Sequence, residues 1–186
     1  MAGIDASVIG FSGKIRSGKT SIANALGLEL GWPRGSFGGF LKGVAQERGL
    51  QESRAVLQQL GDSLIAEGWA PFVKAVLSAA GWTPGKALIL DGIRHLEAVA
   101  AIRECTHPLS FTLIHVQIEE SIRLARFPSP EGVDRHALEN HSSEFAVNAL
   151  LPKVADFKVN GALPLQESVH QVVSFLRKKE RAFTES

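Results

Sequence analysis

Apolar residues gather along the chain in four short runs, Ala6–Phe11, Ala87–Asp91, Phe111–Ile118 and Phe157–Asn160. None of the runs alternates cleanly between apolar and polar positions, the mark of strands covered on both faces in a parallel sheet. A further strand is predicted near Arg34–Phe37. Helical periodicity fills the stretches between. Val56, Leu57, Leu60 and Leu64 form one stripe, opened by Ser53 as N-cap, and Phe72, Val73, Val76 and Leu77 form another. The last helix, with Leu165, Val169, Val172, Val173 and Leu176, carries the clearest 3.6-residue period. Trp82-Thr83-Pro84-Gly85 and the stretch from Phe127 to Gly132 are turn or loop material, and His141-Ser142-Ser143-Glu144 reads as a helix start. Strands alternating with helices, beginning from a strand, predict an α/β domain with a mostly parallel sheet.

At 186 residues the chain fits one domain, expected to span 1–186. Twenty Lys and Arg against nineteen Asp and Glu leave a net charge of +1, which argues against a protein held to nucleic acid by bulk charge. The single Cys105 excludes an intramolecular disulfide. No apolar run approaches the roughly 18 residues of a membrane span, and the N-terminal MAGIDASVIGFSGK lacks the pattern of a signal peptide. A cytoplasmic protein away from membranes is expected, as monomer or homodimer. His136 and His141, five apart, and the Cys105-Thr106-His107 pair do not match structural zinc spacing.

One segment carries specific chemistry. Gly13-Lys14-Ile15-Arg16-Ser17-Gly18-Lys19-Thr20 fits G-x-x-x-x-G-K-[ST], the phosphate loop. Glycines let the backbone curl so that successive N–H groups face phosphate oxygens. Lys19 reaches the β/γ-phosphates, and the Thr20 hydroxyl can ligate Mg²⁺. An apolar strand leads in, and the helix Ser21–Leu30, with Ile22, Ala25, Leu26 and Leu30 on one side, leads out. Its N-terminal partial charge adds to the phosphate site. ATP and Mg²⁺ are the ligands this predicts. Leu88-Ile89-Leu90-Asp91 is an apolar strand ending in a carboxylate, where a second acidic group holds Mg²⁺ through water beside such a loop.

Several phosphate-loop classes are excluded directly. The chain has neither the N-K-x-D and D-x-x-G segments of a regulatory GTPase nor an L-S-G-G-Q-like transporter signature, and it is too short for a ring-forming remodelling ATPase. Small kinases remain. Ile122-Arg123-Leu124-Ala125-Arg126-Phe127 resembles the R-x-x-R lid of nucleoside monophosphate kinases, such as adenylate kinase, and of dephospho-coenzyme A kinase. Ala155-Asp156-Phe157-Lys158-Val159-Asn160-Gly161 resembles their A-D-x-x-[IV]-x-N-x-G segment, after which the loop packs on the adenine. The segment Ser53–Gly61, with Arg54, Leu57 and Gln58, and Asp91-Gly92-Ile93-Arg94 resemble the R-x-x-L-Q-x-x-G and D-x-R elements of phage deoxynucleoside monophosphate kinases and related kinase-like ATPases. The resemblance runs from about residue 7 to 177.

It implies a three-layer α/β/α phosphate-loop NTPase fold, nucleoside-monophosphate-kinase-like, with a lid near 120–142. Catalytic roles then fall to Lys19, Asp91, Arg123 and Arg126. Donor binding falls to the loop from Gly13 to Ser21 (Gly13, Lys14, Ile15, Arg16, Ser17, Gly18, Lys19, Thr20, Ser21) together with Asn160, and Mg²⁺ to Thr20 and Asp91. Arg54, Gln58 and Arg94 would orient the acceptor, although a solvated helix face would show the same i, i+4 spacing of Arg54 and Gln58. After the second strand, Phe37-Gly38-Gly39-Phe40 offers no carboxylate. A hydroxyl acceptor is helped by a base, whereas a phosphate monoester is already an anionic nucleophile. The sequence therefore leans toward a phosphorylated small molecule, a (deoxy)nucleoside monophosphate. A nucleoside or coenzyme-precursor hydroxyl kinase, with Asp91 as base, and a nucleotide-binding regulator with weak ATPase activity both stay open.

Overall fold

The computed structural model describes residues 4–127 and 146–184. Five parallel strands form one sheet in the order β2-β3-β1-β4-β5: β1 Val8–Gly13, β2 Arg34–Ser36, β3 Leu88–Ile93, β4 Phe111–Gln117 and β5 Phe157–Asn160. The helices are α1 Lys19–Leu30, α2 Phe37–Glu47, α3 Arg54–Ala66, α4 Trp69–Ala79, α5 Leu96–Thr106, α6 Glu120–Ala125, α7 Leu151–Val154 and α8 Leu165–Thr184, with a π-helical turn over Ala146–Leu150 ahead of α7. This is the predicted α/β architecture, and all four apolar runs are strands.

The absence of alternation has the expected cause. Ile9 and Phe11 of β1, Ile89 of β3 and Ile114 of β4 pack with Ile22 and Leu26 of α1 and Val169, Val172 and Leu176 of α8. Val8, Leu88, Leu90 and Leu113 face the other way, onto Phe72, Val73, Val76 and Leu77 of α4 and Ala98, Val99 and Ile102 of α5. Both faces of the inner strands are thus buried, giving three layers. Each of these strand side chains is fully buried, so truncation to Ala costs about 2–5 kcal/mol.

Besides the short α6 and α7, two longer helices escape the sequence pattern. The second begins at once after β2, at Phe37-Gly38-Gly39-Phe40, where glycines lower helix propensity by about 1 kcal/mol each. Ser36 rescues the start: its Oγ accepts the Gly39 N–H at 2.7 Å. The other, α5, buries mostly alanine and valine, a faint stripe. The A-D segment also gains a physical role. Asp156 Oδ2 accepts the Leu113 N–H at 2.7 Å, and the Asp156 N–H donates to the Leu113 carbonyl at 2.9 Å, extending the β4–β5 pairing beyond the strand. Lys179 Nζ on α8 lies 3.7 Å from the same carboxylate.

His115 of β4 is buried inside this sheet, its Nδ1 2.9 Å from Ser12 Oγ on β1 and its ladder partner Lys158 on β5. Burial, with the Lys158 charge adding, pushes its pKa down to about 4. The folded protein keeps His115 neutral where the unfolded chain takes up a proton. Its contribution is complete above pH 6.5 and drains away as pH falls toward 4. Urea unfolding should therefore show stability falling by about 2 kcal/mol between pH 6.5 and 4.5 on account of this residue. His115→Gln should flatten that limb; an unchanged slope in the variant would contradict the assignment.

Candidate active site

The phosphate loop leaves the carboxyl end of β1 and enters α1 at Lys19. Its path needs glycine at two places. At Gly13 an added Cβ would lie 2.7 Å from the Val116 carbonyl oxygen and 2.9 Å from Ser17 Oγ, and Gly18 holds φ at 96°. Arg16 holds φ at 66°, a left-handed conformation unusual for a side-chain-bearing residue and strained in consequence. The Ser17 N–H donates to the Lys14 carbonyl at 3.1 Å. Gly18 caps α1 without a side chain, so no side-chain cap occupies the N–H groups of the helix's first turn. The Ser17 hydroxyl is fully buried with no partner among the described residues.

Thr20 and Asp91 meet across the β1–β3 edge. Thr20 Oγ1 donates to Asp91 Oδ2 at 2.6 Å, while Asp91 Oδ1 is buried and has no hydrogen-bond partner among the described residues. An orphaned carboxylate oxygen is costly unless something positive reaches it. The pair offers a hydroxyl and a carboxylate, hard oxygen donors suited to Mg²⁺ held further by water and phosphate.

Three residues of α6 and its C-cap, Glu120, Arg123 and Arg126, grip the loop from outside. Arg123, 3% exposed, donates from Nη1 to the Ile15 carbonyl at 3.3 Å and forms a two-pronged pair with Glu120, Nε to Oε2 at 3.0 Å and Nη2 to Oε1. Glu120 Oε2 also accepts Lys14 Nζ at 3.1 Å. These contacts, the Arg123 hydrogen bond foremost, push the Glu120 carboxyl down to about 2. Arg126 donates from Nη1 to the Arg16 carbonyl at 3.2 Å and from Nη2 to the Gly161 carbonyl at 2.8 Å. The Arg16 guanidinium sits 5.6 Å from the Phe127 ring centroid.

Two cavities flank the loop. One, about 660 Å³, is bordered by the loop from Arg16 to Ile22, by Arg126, and by Gly161, Leu163, Leu165 and Ser168 of the β5–α8 region. The other, about 740 Å³, lies between α2, α3, α4 and the β3–α5 connection. Its walls include Phe37, Trp69 and Phe72, with Phe37 edge-on to Phe72 at 5.5 Å. Lys19, Lys42, Arg54 and Arg94 bring four cations to its lining against the carboxylates of Glu52 and Asp62. Glu52 is engaged at the rim by Gln46 Nε2 at 2.6 Å and Lys42 Nζ at 3.7 Å. Lys19 borders both cavities.

Most residues singled out from the sequence converge here. Arg16 to Ser21 and Arg126 border the first cavity, and Ile15, Arg54, Gln58 and Arg94 the second. Gly13 and Lys14 belong to the loop and line neither cavity, and Arg123 holds the Ile15 carbonyl. Asn160 stands at the end of β5 but spends its side chain on its own turn, Oδ1 accepting the Ala162 N–H at 2.9 Å. Its neighbour Gly161 makes the closer approach: a Cβ there would fall 2.0 Å from the Ser17 carbonyl oxygen. Of the lid expected near 120–142, residues 120–127 are described; 128–145, with His136, His141 and the predicted helix start at His141-Ser142-Ser143-Glu144, lies outside the described residues. Sequence reasoning missed Glu120, whose only trace is an i, i+3 spacing to Arg123, and the aromatic wall, which reads as core.

No protein-family model matches the chain, and no curated protein sequence does. Solved structures do. The shikimate kinase of Aquifex aeolicus superposes with a TM-score of 0.63 at 17% identity, over 93% of this chain and 98% of that one. A gluconokinase from Sinorhizobium meliloti gives 0.59 at 16%, over 100% and 99%. The APS kinase CysC of Mycobacterium tuberculosis, in complex with AMPPNP and APS, gives 0.60 at 18%, over 93% and 98%. At these identities the likeness is one of architecture. The chain has the fold of the phosphate-loop small-molecule kinases, with the loop at the carboxyl end of its central strand.

Proposed function

We propose that this protein transfers the γ-phosphoryl group of ATP to a small phosphorylated acceptor, a (deoxy)nucleoside monophosphate. The observation that carries the reading is the position of Lys19 between two cavities of nucleotide size. A donor in the first would place its terminal phosphate beside the Lys19 ammonium, at the mouth of the second. In-line transfer needs little covalent help from the protein; it needs positioning and charge stabilisation. Loop N–H groups, Lys19 and Arg126 would cradle the phosphates. Thr20 and Asp91 would hold Mg²⁺, which neutralises charge on the β- and γ-phosphates. Leu163 and Leu165 give the donor base an apolar surface beside Gly161.

The second cavity suits an acceptor that is anionic at one end and flat at the other. Cations outnumber carboxylates along its lining, and planar guanidinium forks at Arg54 and Arg94 match a phosphate better than ammonium groups do. Phe37, Trp69 and Phe72 supply faces and edges for a base. Gln58 lies one helical turn from Arg54 on α3, within reach of a base edge. A hydroxyl acceptor is the second reading: the similar structures include kinases of shikimate and gluconate by name, and Asp91 could take a hydroxyl proton.

Millimolar MgATP should raise the melting temperature, since a ligand binding only the native state adds about 2.7 kcal/mol at a hundredfold excess over Kd. Lys19→Ala should lose most of that shift; an unmoved wild-type melting temperature would overturn the donor site. For the acceptor, Arg94→Lys should keep the ATP-induced shift yet raise the acceptor KM severalfold or more. Turnover of nucleoside monophosphates and of the matching nucleosides, under identical MgATP, decides between the two readings. Preference for the bare nucleosides, with Arg94→Lys indifferent, selects the hydroxyl kinase.

A further inference from the structure

Glu120 presents a puzzle of sign. A site built to attract polyphosphate keeps a carboxylate against its own loop, bonded to Lys14 at 3.1 Å and to the buried Arg123. On Coulomb grounds alone this charge opposes anion binding and offsets one of the two positive charges it touches, Lys14 and Arg123. The geometry shows what it does instead. Its two oxygens fix the planar Arg123 fork, and the third corner of that guanidinium holds the Ile15 carbonyl. In a trans peptide the N–H lies opposite the C=O, so pinning the Ile15 carbonyl toward α6 turns the Arg16 N–H the other way. The next residue, Arg16, is the one in the left-handed conformation, with its own carbonyl taken by Arg126. A conformation of this kind persists only where the surroundings impose it.

We propose that Glu120 is a positioning residue for the donor site: acting through Arg123, its carboxylate holds the first turn of the phosphate loop in the shape that binds ATP. The inference rests only on the donor half of the reading above and is tested without any acceptor. The sign of the effect separates the alternatives. If Glu120 acts as a bare charge, Glu120→Gln tightens MgATP binding. If it positions the loop, the amide cannot accept both prongs of the guanidinium and binding weakens.

The experiment is isothermal calorimetry of MgATP with the full chain, at a temperature where circular dichroism shows wild type and variants folded. Glu120→Gln is expected to raise Kd about tenfold or more, as small misplacements in a preorganised site do. In an Arg123→Met background the same change should have a much smaller effect, because the residue it works through is gone. Should Arg123→Met not fold, Arg123→Lys, which keeps the charge and loses the fork, serves as background. An unchanged or lowered Kd in Glu120→Gln overturns the proposal, even if the melting temperature falls. So does a loss of affinity that is equally large without Arg123. A wild type that fails to bind MgATP overturns the donor-site reading as well, whereas normal wild-type binding with an indifferent Glu120→Gln overturns this inference alone.

Discussion

The carboxyl end of β1 is the fixed point of the molecule. Parallel neighbours β3 and β4 pair with it on both edges and apolar layers cover both of its faces, so the strand cannot shift. Because all five strands run the same way, their carboxyl ends share one edge of the sheet. Gly13 leaves β1 there, Asp91 stands near the end of β3, and α6 and the β5–α8 turn follow β4 and β5. The loop, Asp91, the α6 segment and Gly161 thus lie at four different strand ends, placed by the register of the sheet.

Close backbone contact then joins the loop to the turn after β5. Gly161 lies so near the Ser17 carbonyl that no side chain fits between, and Arg126 ties the same two segments together through the Arg16 and Gly161 carbonyls. Around the left-handed Arg16, Arg123 of α6 holds the preceding Ile15 carbonyl, Arg126 holds the Arg16 carbonyl, and the Phe127 ring faces the Arg16 guanidinium. Preorganisation of this sort spends folding energy to fix N–H donors before the ligand arrives, and electrostatic stabilisation gains most from such fixed dipoles. The second cavity is built differently, largely from side chains on three helices around an aromatic wall.

Much of this was legible in the sequence, for physical reasons that also mark where reading stops. Strands buried on both faces leave unbroken apolar runs, so β1, β3 and β4 are legible from the apolar pattern; β5, at the edge of the sheet, fully buries Val159 and exposes Lys158 and Asn160. The phosphate loop was visible because its backbone geometry admits few residues at Gly13 and Gly18. The second helix was hidden because its start depends on one cap, Ser36, against glycines that argue for a loop. Glu120 was hidden because its role depends on Ile15, more than 100 positions away, and a carboxylate three residues before an arginine reads as an ordinary surface pair. Arg123 and Arg126, expected at a lid, donate to the Ile15 and Arg16 carbonyls of the loop, contacts that the sequence pattern does not show. Asp156 belonged to a recognised segment, yet its work is to splice β4 to β5, which only the ladder reveals.

In the proposed reaction one phosphoryl group passes Lys19 between two adjoining cavities. A bisubstrate analogue, adenosine joined to a deoxynucleoside through a bridging polyphosphate, would occupy both at once. Its dissociation constant, measured by calorimetry with Mg²⁺ against that of ADP, tests the claim directly. The structure predicts that the best-matched analogue binds about a hundredfold more tightly or better, because a single ligand gathers the interactions of both sites. An analogue that binds no more tightly than ADP, whatever its second base, would contradict it.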